Sequence, residues 1–360
     1  MKILHLMTGA NSGGIQSLMI DYLNKLDLDG NFSNIENIFV FAFSGGTLLD
    51  KFNNGLNKVY TCDETKNIFS RIIFLYKIIA TEKPDIIIEH FSAPVLRFIA
   101  LTSKIIYGSK VVIYQHHSAW EDAKNKPTIM QIFIKNYNAL ILNKANGIIA
   151  ISQFVKNTVV SRYKINPDKI KVVYNGTNCY DRVQSMQVKE NKPMKRLIFV
   201  GRVVHEKGIH KIIQAMKFLD TSYTLTIAGS GPYMENLKKI VAELELSNVV
   251  FLGNRNDIHD LLEDADIFIH VPECQEGFGI TVIEAMAAGV TCLVNDHGAL
   301  PEIVINGKNG YIINDAPEKI ADFIRDLKYN DEIIQEGLQT ARSFSIEKYV
   351  ANFMGYIKNL

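Results

Sequence analysis

Two acidic side chains frame a short, glycine-containing stretch of the chain. The stretch "EGFGITVIEAMAAG" (residues 276–289) holds Glu276 and Glu284 with seven residues between them, and Gly277 and Gly279 follow the first glutamate closely. The pattern predicts a loop that carries Glu276 and a short helix that carries Glu284. Carboxylates accept hydrogen bonds from hydroxyl groups, and glycine lets a ligand approach the backbone closely. The spacing therefore favours a site for hydroxyl-rich groups, such as a sugar at the loop and a ribose at the helix.

Two basic residues follow another apolar run, in "FVGRVVHEKGIHKIIQAM" (199–216). Arg202 and Lys207 flank a turn, and Gly208 precedes a helical pattern. Arginine can donate two hydrogen bonds to phosphate oxygens, and lysine adds a compact positive charge. Surface arginines and lysines are usually only solvated. Their position directly after a buried-looking strand favours a phosphate site.

A second candidate phosphate site lies near the N-terminus, in "TGANSGGIQSLMIDYLNKL" (8–26). Gly13 and Gly14 precede an amphipathic helix, and a helix N-terminus with glycines favours a bound anion. A tight strand-to-helix turn explains the same residues equally well. The stretch is not a P-loop, because no Gly-Lys-Ser/Thr follows, and it lacks the GxGxxG spacing of dinucleotide sites.

Histidines and an aromatic residue follow a further strand, in "YQHHSAW" (114–120). His116 and His117 can exchange protons near neutral pH, and Trp120 adds an amphipathic surface. A lone histidine is more often structural. The position of this pair at a strand end, where open α/β sheets bind ligands, favours a functional role.

No metal site is predicted. The pair Asp264 and Asp266 resembles a metal-binding DxD, but the surrounding pattern places one at a helix end and the other at a strand entrance. The four cysteines are scattered without a CxxC, which argues against a zinc site or a disulfide framework and fits a reducing cytoplasm.

The elements that must position these residues are short apolar runs alternating with helical patterns. This alternation predicts an α/β fold with two parallel sheets. A polar, aperiodic stretch at residues 179–193 is predicted to be a linker between residues 1–178 and a second domain, residues 194–342. The predicted strands are 2–8, 35–43, 84–90, 110–116, 146–152, 170–175, 196–202, 223–231, 248–254, 265–271, 290–296 and 309–314.

Composition indicates a soluble globular protein. The chain has 360 residues, 47% hydrophobic and 21% charged, with no apolar run long enough to span a membrane. The N-terminus is predicted to be a first strand and its loop, not a cleaved signal. Charge is uneven: residues 1–178 hold 20 basic and 13 acidic residues (+7), and residues 179–360 hold 19 and 25 (−6). This asymmetry suggests different partners for the two halves.

Taken together, these motifs resemble those of the retaining family 4 glycosyltransferases of the GT-B fold, especially those that build bacterial surface polysaccharides. "EGFGITVIE" (276–284) resembles that family's E-x7-E motif, and "GRVVHEKG" (201–208) resembles its phosphate-binding element. "NSGGIQ" (11–16) is similar to its N-terminal GG loop, and "YNGTN" (174–178) to its hinge entry. The resemblance implies two facing Rossmann-like domains and a C-terminal helix, residues 343–360, that packs on the N-terminal domain.

The resemblance also implies roles for individual residues. Arg202 and Lys207 would bind the donor diphosphate, Glu284 the ribose and Glu276 the hydroxyls of the transferred sugar. His117 is favoured over His116 as the acceptor-side histidine, with Trp120 beside it. The implied catalytic residues are Glu276, His117, Arg202 and Lys207. The implied donor-binding residues are Gly13, Gly14, Arg202, Lys207, Asn254, Arg255, Glu276, Phe278, Gly279, Ile280 and Glu284.

The predicted function is transfer of a hexose or N-acetylhexosamine from a nucleotide-sugar, UDP-linked by preference, to a saccharide acceptor. The acceptor is predicted to be lipid-linked, and the N-terminal domain to dock on the inner face of the cytoplasmic membrane, because basic residues alternate with apolar ones in its helices. No metal, no cofactor and no nucleic-acid partner are expected. A nucleotide-sugar epimerase, a glycoside hydrolase and a catalytically silent subunit are the alternatives.

Overall fold

The computed structural model describes most of the chain. The predicted linker, residues 179–193, lies outside the described residues. The described ranges are residues 1–11, 13–28, 34–43, 45–53, 57–63, 65, 67–90, 93–119, 126–178 and 194–360.

The chain divides into two compact units. Unit one comprises residues 1–176 together with the C-terminal residues 346–360, and unit two comprises residues 177–345. Each unit is built around one parallel sheet, as the strand–helix alternation of the sequence predicts.

Unit one contains a seven-stranded parallel sheet with the strand order β3-β2-β1-β4-β5-β6-β7. Its central strands are buried almost throughout, as expected of parallel strands covered by helices on both faces, and this explains their continuous runs of Ile, Val and Phe. The strands are β1 (Lys2–Met7), β2 (Glu36–Phe41), β3 (Lys58–Thr61), β4 (Ile86–Glu89), β5 (Lys110–Gln115), β6 (Gly147–Ala150) and β7 (Ile170–Val172). The helices between them are α1 (Gly14–Leu28), α2 (Leu49–Phe52), α3 (Ile68–Glu82), α4 (Pro94–Tyr107), α5 (Thr128–Lys144) and α6 (Gln153–Tyr163).

Unit two contains a six-stranded parallel sheet with the strand order β10-β9-β8-β11-β12-β13. The strands are β8 (Arg196–Val200), β9 (Thr224–Ala228), β10 (Val249–Gly253), β11 (Ile267–His270), β12 (Thr291–Val294) and β13 (Tyr311–Ile312). The helices are α7 (Ile209–Met216), α8 (Met234–Glu243), α9 (Ile258–Glu263), α10 (Ile280–Ala287), α11 (Leu300–Ile303), α12 (Pro317–Asp326) and α13 (Asp331–Ser343).

The last helix, α14 (Ile346–Lys358), belongs to unit one and packs on α1. The rings of Tyr22 and Phe353 meet edge to face at 5.4 Å, and the Tyr22 hydroxyl lies 3.3 Å from Met354 Sδ. Lys25 and Glu347 form an ion pair at 2.8 Å on the outside of the same contact. The aromatic packing fixes the C-terminal segment onto the N-terminal sheet.

Each of the twelve predicted apolar runs contains a strand, and the parallel α/β class is confirmed. One strand, β3, was not predicted, because "KVYT" at the sheet edge is short and both of its end residues are exposed. No helix within the described residues has the length and apolarity needed to cross a bilayer.

Candidate active site

A tight turn after β8 brings Lys207 to the site. Residues His205–Lys207 form a 3-10 turn that ends at Gly208, whose φ is +69°. A Cβ atom at Gly208 would lie 2.0 Å from the carbonyl oxygen of Val271, so the turn packs directly against the segment that follows β11. Only glycine fits, because the positive φ and the close approach both exclude a side chain. This contact places Lys207 beside the loop that carries Glu276.

Glu276 is the centre of a three-residue cluster. Its Oε2 lies 2.5 Å from Lys207 Nζ and 3.0 Å from Nε2 of His270, the last residue of β11. The side chains of Lys207 and Glu276 are 18% and 17% exposed, and that of His270 is 2% exposed. No described residue forms a hydrogen bond with Glu276 Oε1. One carboxylate oxygen is thus held by the protein, and the other is available to a ligand.

The cluster fixes its own charge state. Burial alone raises the pKa of the Glu276 carboxyl, but the Lys207 charge and the hydrogen bonds from His270 and Lys207 outweigh it, so the pKa lies well below its usual range. Burial lowers the pKa of His270, although the hydrogen bond to Glu276 opposes this. Near neutral pH the cluster therefore contains a carboxylate and a neutral imidazole that donates from Nε2.

The loop after β12 supports the backbone of Glu276. The Ala299 amide donates to the Glu276 carbonyl at 2.8 Å, and the Gly298 amide donates to Gln275 Oε1 at 3.0 Å. A Cβ atom at Gly298, where φ is +69°, would lie 2.1 Å from the Glu276 carbonyl oxygen. The carboxylate therefore projects from a backbone that is braced on a neighbouring loop.

Helix α10 begins directly after this loop. Its N-cap is Gly279, with φ at +111° and no side-chain cap, so the backbone N–H groups of the first turn have no side-chain acceptor there. The Phe278 side chain is buried against Phe344, with ring centroids 5.6 Å apart, which leaves only its backbone for a ligand. Ile280 and Glu284 lie on α10 and are half-buried. The predicted loop and helix around the two glutamates are both present.

Arg202 lies on the loop after β8 and is exposed. Within the described part of the chain, its guanidinium forms no hydrogen bond or ion pair. The loop itself is held in place, because the Val203 amide donates to the Ser230 carbonyl at 2.9 Å and the Tyr233 amide donates to the Val203 carbonyl at 3.1 Å. Arg202 is therefore an unengaged cation on an anchored loop.

The loops after β9 and β10 meet next to this one. The Gly229 amide donates to the Gly253 carbonyl at 2.8 Å, and Ser230 Oγ donates to Asn254 Oδ1 at 2.7 Å. Arg255, predicted with Asn254 as a donor-binding residue, pairs with Asp257, and its Nε lies 2.8 Å from Asp257 Oδ1. The carboxyl ends of three neighbouring strands thus form one connected edge.

The DxD-like pair lies away from this edge. Asp264 caps the end of α9, and Asp266 directly precedes β11. Asp266 Oδ2 accepts hydrogen bonds from the amides of Lys195 and Arg196 at 3.2 and 2.9 Å, and its Oδ1 pairs with the Arg196 guanidinium at 2.8 Å. Asp266 therefore joins the amino-terminal ends of two strands, which supports the structural interpretation of the pair.

A cluster of metal-ligand type lies beside the Lys207 turn. Coordinating atoms of His205, His210 and Glu273 lie within 4.8 Å of one another. Lys211 Nζ, however, lies 3.4 Å from Glu273 Oε1 and 2.8 Å from Asp315 Oδ2. Because a lysine ammonium already neutralises the carboxylate, we interpret the group as an ion-pair cluster.

The predicted residues of unit one lie at the carboxyl ends of its strands. Gly14 is exposed and begins α1, Gly13 precedes it, and His116 and His117 follow β5 directly. His116 Nε2 lies 3.3 Å from Nδ1 of His90, which follows β4. Trp120 lies outside the described residues.

Two family models match the chain. The model for Glycosyl transferases group 1 matches residues 182–342, and the model for Glycosyltransferase Family 4 matches residues 38–180. The chain belongs to the family 4 glycosyltransferases.

This glycosyltransferase is similar to curated proteins of bacteria and archaea. It is 34% identical over 190 residues to the uncharacterized glycosyltransferase MJ1607 of Methanocaldococcus jannaschii, which covers 48% of each chain. The chain thus spans about half the length of that relative. It is 25% identical over 354 residues to CapM of Staphylococcus aureus, a capsular polysaccharide biosynthesis glycosyltransferase, covering 93% of this chain and 89% of CapM.

The fold of this glycosyltransferase matches a solved structure over its full length. The crystal structure of Alr3699/HepE from Anabaena, in complex with UDP and glucose, aligns with a TM-score of 0.82 and 20% identity over 100% of both chains. At this identity the match establishes the fold.

His270 is a residue of the Glu276 cluster that the sequence did not reveal. It lies inside the apolar run "IFIH" and looks there like a core residue. The only available signal was a histidine at the end of a buried strand, six residues before Glu276.

Proposed function

We propose that this glycosyltransferase transfers a hexose or N-acetylhexosamine from a UDP-linked donor to a saccharide acceptor of a polysaccharide pathway. We further propose that the anomeric configuration is retained and that no metal ion is required. The cluster of Lys207, Glu276 and His270 carries this proposal, because it sets a cation beside a carboxylate with one free oxygen. The UDP and glucose bound by HepE and the capsular role of CapM support the donor and acceptor classes.

Lys207 and Arg202 are assigned to the donor diphosphate. A lysine ammonium has three N–H donors, so Lys207 can keep its hydrogen bond to Glu276 and give the other two to phosphate oxygens. Arg202 is exposed and unengaged, and its planar guanidinium can donate two parallel hydrogen bonds. Both cations would stabilise the charge that builds on the diphosphate as it leaves.

Glu276 is assigned to the hydroxyls of the transferred sugar. Its Oε2 is occupied by Lys207 and His270, which leaves Oε1 to accept from the sugar. The depressed pKa keeps the group ionised, so it acts as an acceptor and not as a proton donor. Glu284, half-buried on α10, is assigned to the ribose.

Retention follows if the acceptor attacks the face of the sugar from which the diphosphate departs. The bond between the anomeric carbon and the phosphate oxygen breaks, and the acceptor oxygen bonds to the same carbon. The acceptor proton passes to the departing phosphate oxygen. No protein nucleophile is required, and an ionised Glu276 held by Lys207 and His270 is poorly suited to act as the proton donor of a glycoside hydrolase.

Turnover of UDP-sugars should be detectable as UDP release that a saccharide acceptor strongly accelerates and that persists in excess EDTA. Cation side chains, and not a divalent metal, neutralise the diphosphate in this proposal. A panel of nucleotide-sugars is screened by nucleoside diphosphate release, and donor binding is checked by thermal shift, where ligand at about 100 times Kd adds about 2.7 kcal/mol. A strict Mg²⁺ or Mn²⁺ requirement would refute the metal-independent part. Conversion of the donor to an isomeric sugar in the absence of acceptor would instead indicate an epimerase.

The membrane part of the proposal depends on three neighbouring helices of unit one. Helices α3, α4 and α5 each bury one apolar face, yet they also expose large apolar side chains, up to 84% for Ile129 and 69% for Phe133. The helices contact one another, for example through the hydrogen bond from the Tyr137 hydroxyl to the Pro94 carbonyl at 2.6 Å. The exposed residues are Ile68, Phe69, Ile73, Phe98, Ile105, Ile106, Tyr107, Ile129, Met130, Ile132, Phe133 and Leu140.

The charge of the same helices complements an anionic lipid surface. Glu82 is their only acidic residue, and it is buried and bonded to Lys58 and Tyr60. Their exposed lysines include Lys77 and Lys135. Apolar side chains below the headgroups and bases among anionic headgroups are typical of interfacial binding. We assign this face to the inner leaflet of the cytoplasmic membrane, where a lipid-linked acceptor would lie.

The protein should co-sediment with vesicles that contain anionic lipid at low salt, and binding should weaken at high salt. The double variant Ile129→Ser/Phe133→Ser should lose binding, because it removes two exposed apolar side chains from α5. The double variant Val250→Ser/Ile305→Ser is the matched control, since it removes two exposed apolar residues from unit two. Failure to bind at low salt, or self-association through the same residues in place of vesicle binding, would refute the membrane assignment.

A further inference from the structure

A row of three imidazoles crosses three neighbouring strands of unit one. His5 lies within β1, His90 directly follows β4 and His116 directly follows β5. His5 Nδ1 lies 2.9 Å from His90 Nε2, and His90 Nδ1 lies 3.3 Å from His116 Nε2. At the inner end, His5 Nε2 lies 3.2 Å from Oδ1 of Asn37. The row therefore runs from the core to the carboxyl edge of the sheet.

All three imidazoles are neutral near physiological pH. Burial lowers the pKa of His5 to about 4 and that of His116 to about 3, and it holds the pKa of His90 well below its usual value. The rings are enclosed by aromatic side chains: His5 stacks on Phe39 at 4.6 Å, and His116 lies 4.1 Å from the ring of Tyr114. A neutral imidazole has one N–H donor and one lone-pair acceptor, so each ring can donate in one direction only.

The end of the row at Asn37 sets that direction. Asn37 Oδ1 accepts hydrogen bonds from both His5 Nε2 and the Tyr22 hydroxyl. Because an amide oxygen cannot donate, the proton of His5 is on Nε2. His5 Nδ1 then accepts from His90 Nε2, and His90 Nδ1 accepts from His116 Nε2. The one remaining lone pair is on His116 Nδ1. This atom is buried and has no partner among the described residues, which leaves a costly unsatisfied acceptor.

We propose that the row Asn37–His5–His90 fixes the tautomer of His116, so that its Nδ1 accepts a hydrogen bond from the reacting hydroxyl of the saccharide acceptor. The proposal rests on the proposed glycosyltransferase function and adds His5 and His90 to it as positioning residues. His116 lies where ligands bind in an open α/β sheet, directly after a central strand. A hydroxyl group that donates to His116 Nδ1 would satisfy this free lone pair and would be oriented by it.

His116 orients the hydroxyl and does not remove its proton. An imidazole with a pKa of about 3 is too weak a base to hold a proton near neutral pH. The proton still passes to the departing phosphate as the new glycosidic bond forms. The contribution of the row is therefore one well-directed hydrogen bond, worth less than a general base.

The tautomers are measured directly by ¹⁵N NMR on the full-length protein with ¹⁵N-labelled histidine. The chain has 9 histidines. Variants that each replace one histidine of the row identify the NMR signals of His5, His90 and His116. We expect each of these rings to be protonated on Nε2 and unprotonated on Nδ1. A proton on His116 Nδ1 in the wild-type protein would overturn the proposal, whether or not sugar transfer is found.

Two substitutions of His90 separate positioning from packing. In His90→Gln the amide can donate to His5 Nδ1 and its carbonyl can accept from His116 Nε2, so the direction of the row is kept. His90→Leu fills similar space but breaks the row, and His116 should then populate both tautomers. Transfer to the saccharide should fall about 2- to 13-fold in His90→Leu, the size of one neutral hydrogen bond, and stay near wild type in His90→Gln.

Slow transfer to water, measured as UDP release without acceptor, is the internal control. It should be equal in both variants, and so should the KM for donor, because the row acts on the acceptor alone. Equal acceptor kinetics in the two variants, or a loss of transfer that follows their melting temperatures, would show that the row is only structural. Absence of transfer in the wild-type protein would refute the proposed function and leave the NMR result to decide the tautomer.

Discussion

Lys207→Ala should lower the rate of sugar transfer by about 10²–10³-fold, the usual cost of losing one preorganised group that stabilises developing charge. Lys207 is the only cation within hydrogen-bond distance of Glu276 among the described residues, and the turn that holds it is locked by Gly208 against Val271. In the proposed donor site its loss would remove a hydrogen-bond donor to the diphosphate, and it releases one of the two groups that orient the Glu276 carboxylate. Steady-state kinetics with the best donor and acceptor measure the effect.

Lys211→Ala is the matched control for this substitution. Lys211 lies four residues further along, is 22% exposed against 18% for Lys207, and also pairs with acidic side chains, Glu273 and Asp315. The Lys211→Ala variant should be less stable than the wild-type protein, but its rate of sugar transfer should not fall comparably. Arg202→Ala, at an exposed cation without recorded partners, should reduce transfer while leaving the melting temperature unchanged. Near-native turnover in Lys207→Ala would remove this residue from the donor site.

The sequence predicted the layout of unit two because each of its signals is local. Strands appear as apolar runs, and ligand-binding residues of an α/β sheet follow such runs directly. Arg202, Lys207 and Glu276 could therefore be proposed as ligand-binding residues from their positions after β8 and β11. Gly208 was also recognisable from the sequence as a glycine at the start of a helix. The requirement for glycine at this position comes from its close approach to the Val271 carbonyl, which is a contact between distant segments.

The features that the sequence did not reveal depend on contacts between distant segments. Lys207 and Glu276 are 69 positions apart, and nothing in either segment indicates that they share a hydrogen bond. His270 lies in an apolar run whose pattern is typical of a buried core strand. His5 and His90 are single histidines within or beside buried strands. The row from His5 to His116 joins residues 111 positions apart through strand order alone, since β1, β4 and β5 are neighbours in the sheet.

The apolar surface of unit one could be predicted only in part. Every helix on an α/β sheet needs one apolar face, so isoleucines and phenylalanines in α3, α4 and α5 do not by themselves indicate a second surface. The structure separates the two sets, because Leu75 and Ile79 are buried while Phe69 and Ile73 are exposed on the same helix.

Glu276→Gln should reduce transfer about 10²-fold, because it replaces charge-assisted hydrogen bonds to the sugar hydroxyls with weaker neutral ones. It nearly preserves the volume and keeps an acceptor for Lys207 and His270, so the fold should persist. His270→Gln, whose amide can donate from the Nε2 position, should reduce transfer far less. If Glu276→Gln turned over at the wild-type rate, the carboxylate would have no role in holding the sugar.

The same substitution should have a stability cost that depends on pH. The folded-state pKa of Glu276 lies below its unfolded value of 4.5, so the native state binds fewer protons, and the stabilisation is present above pH 4.5 and lost as the pH falls through the folded-state pKa. His270 also titrates, because its lowered pKa makes the native state lose stability as the pH falls below 6.5. The comparison is therefore made in the His270→Gln background, where Glu276 is the only one of these two groups that still titrates. Urea unfolding of this variant with and without Glu276→Gln should show a clear difference at pH 7 that shrinks steadily below pH 4.5. A difference that stays constant between pH 7 and pH 3 would mean that the ion pair with Lys207 does not hold Glu276 in its charged form.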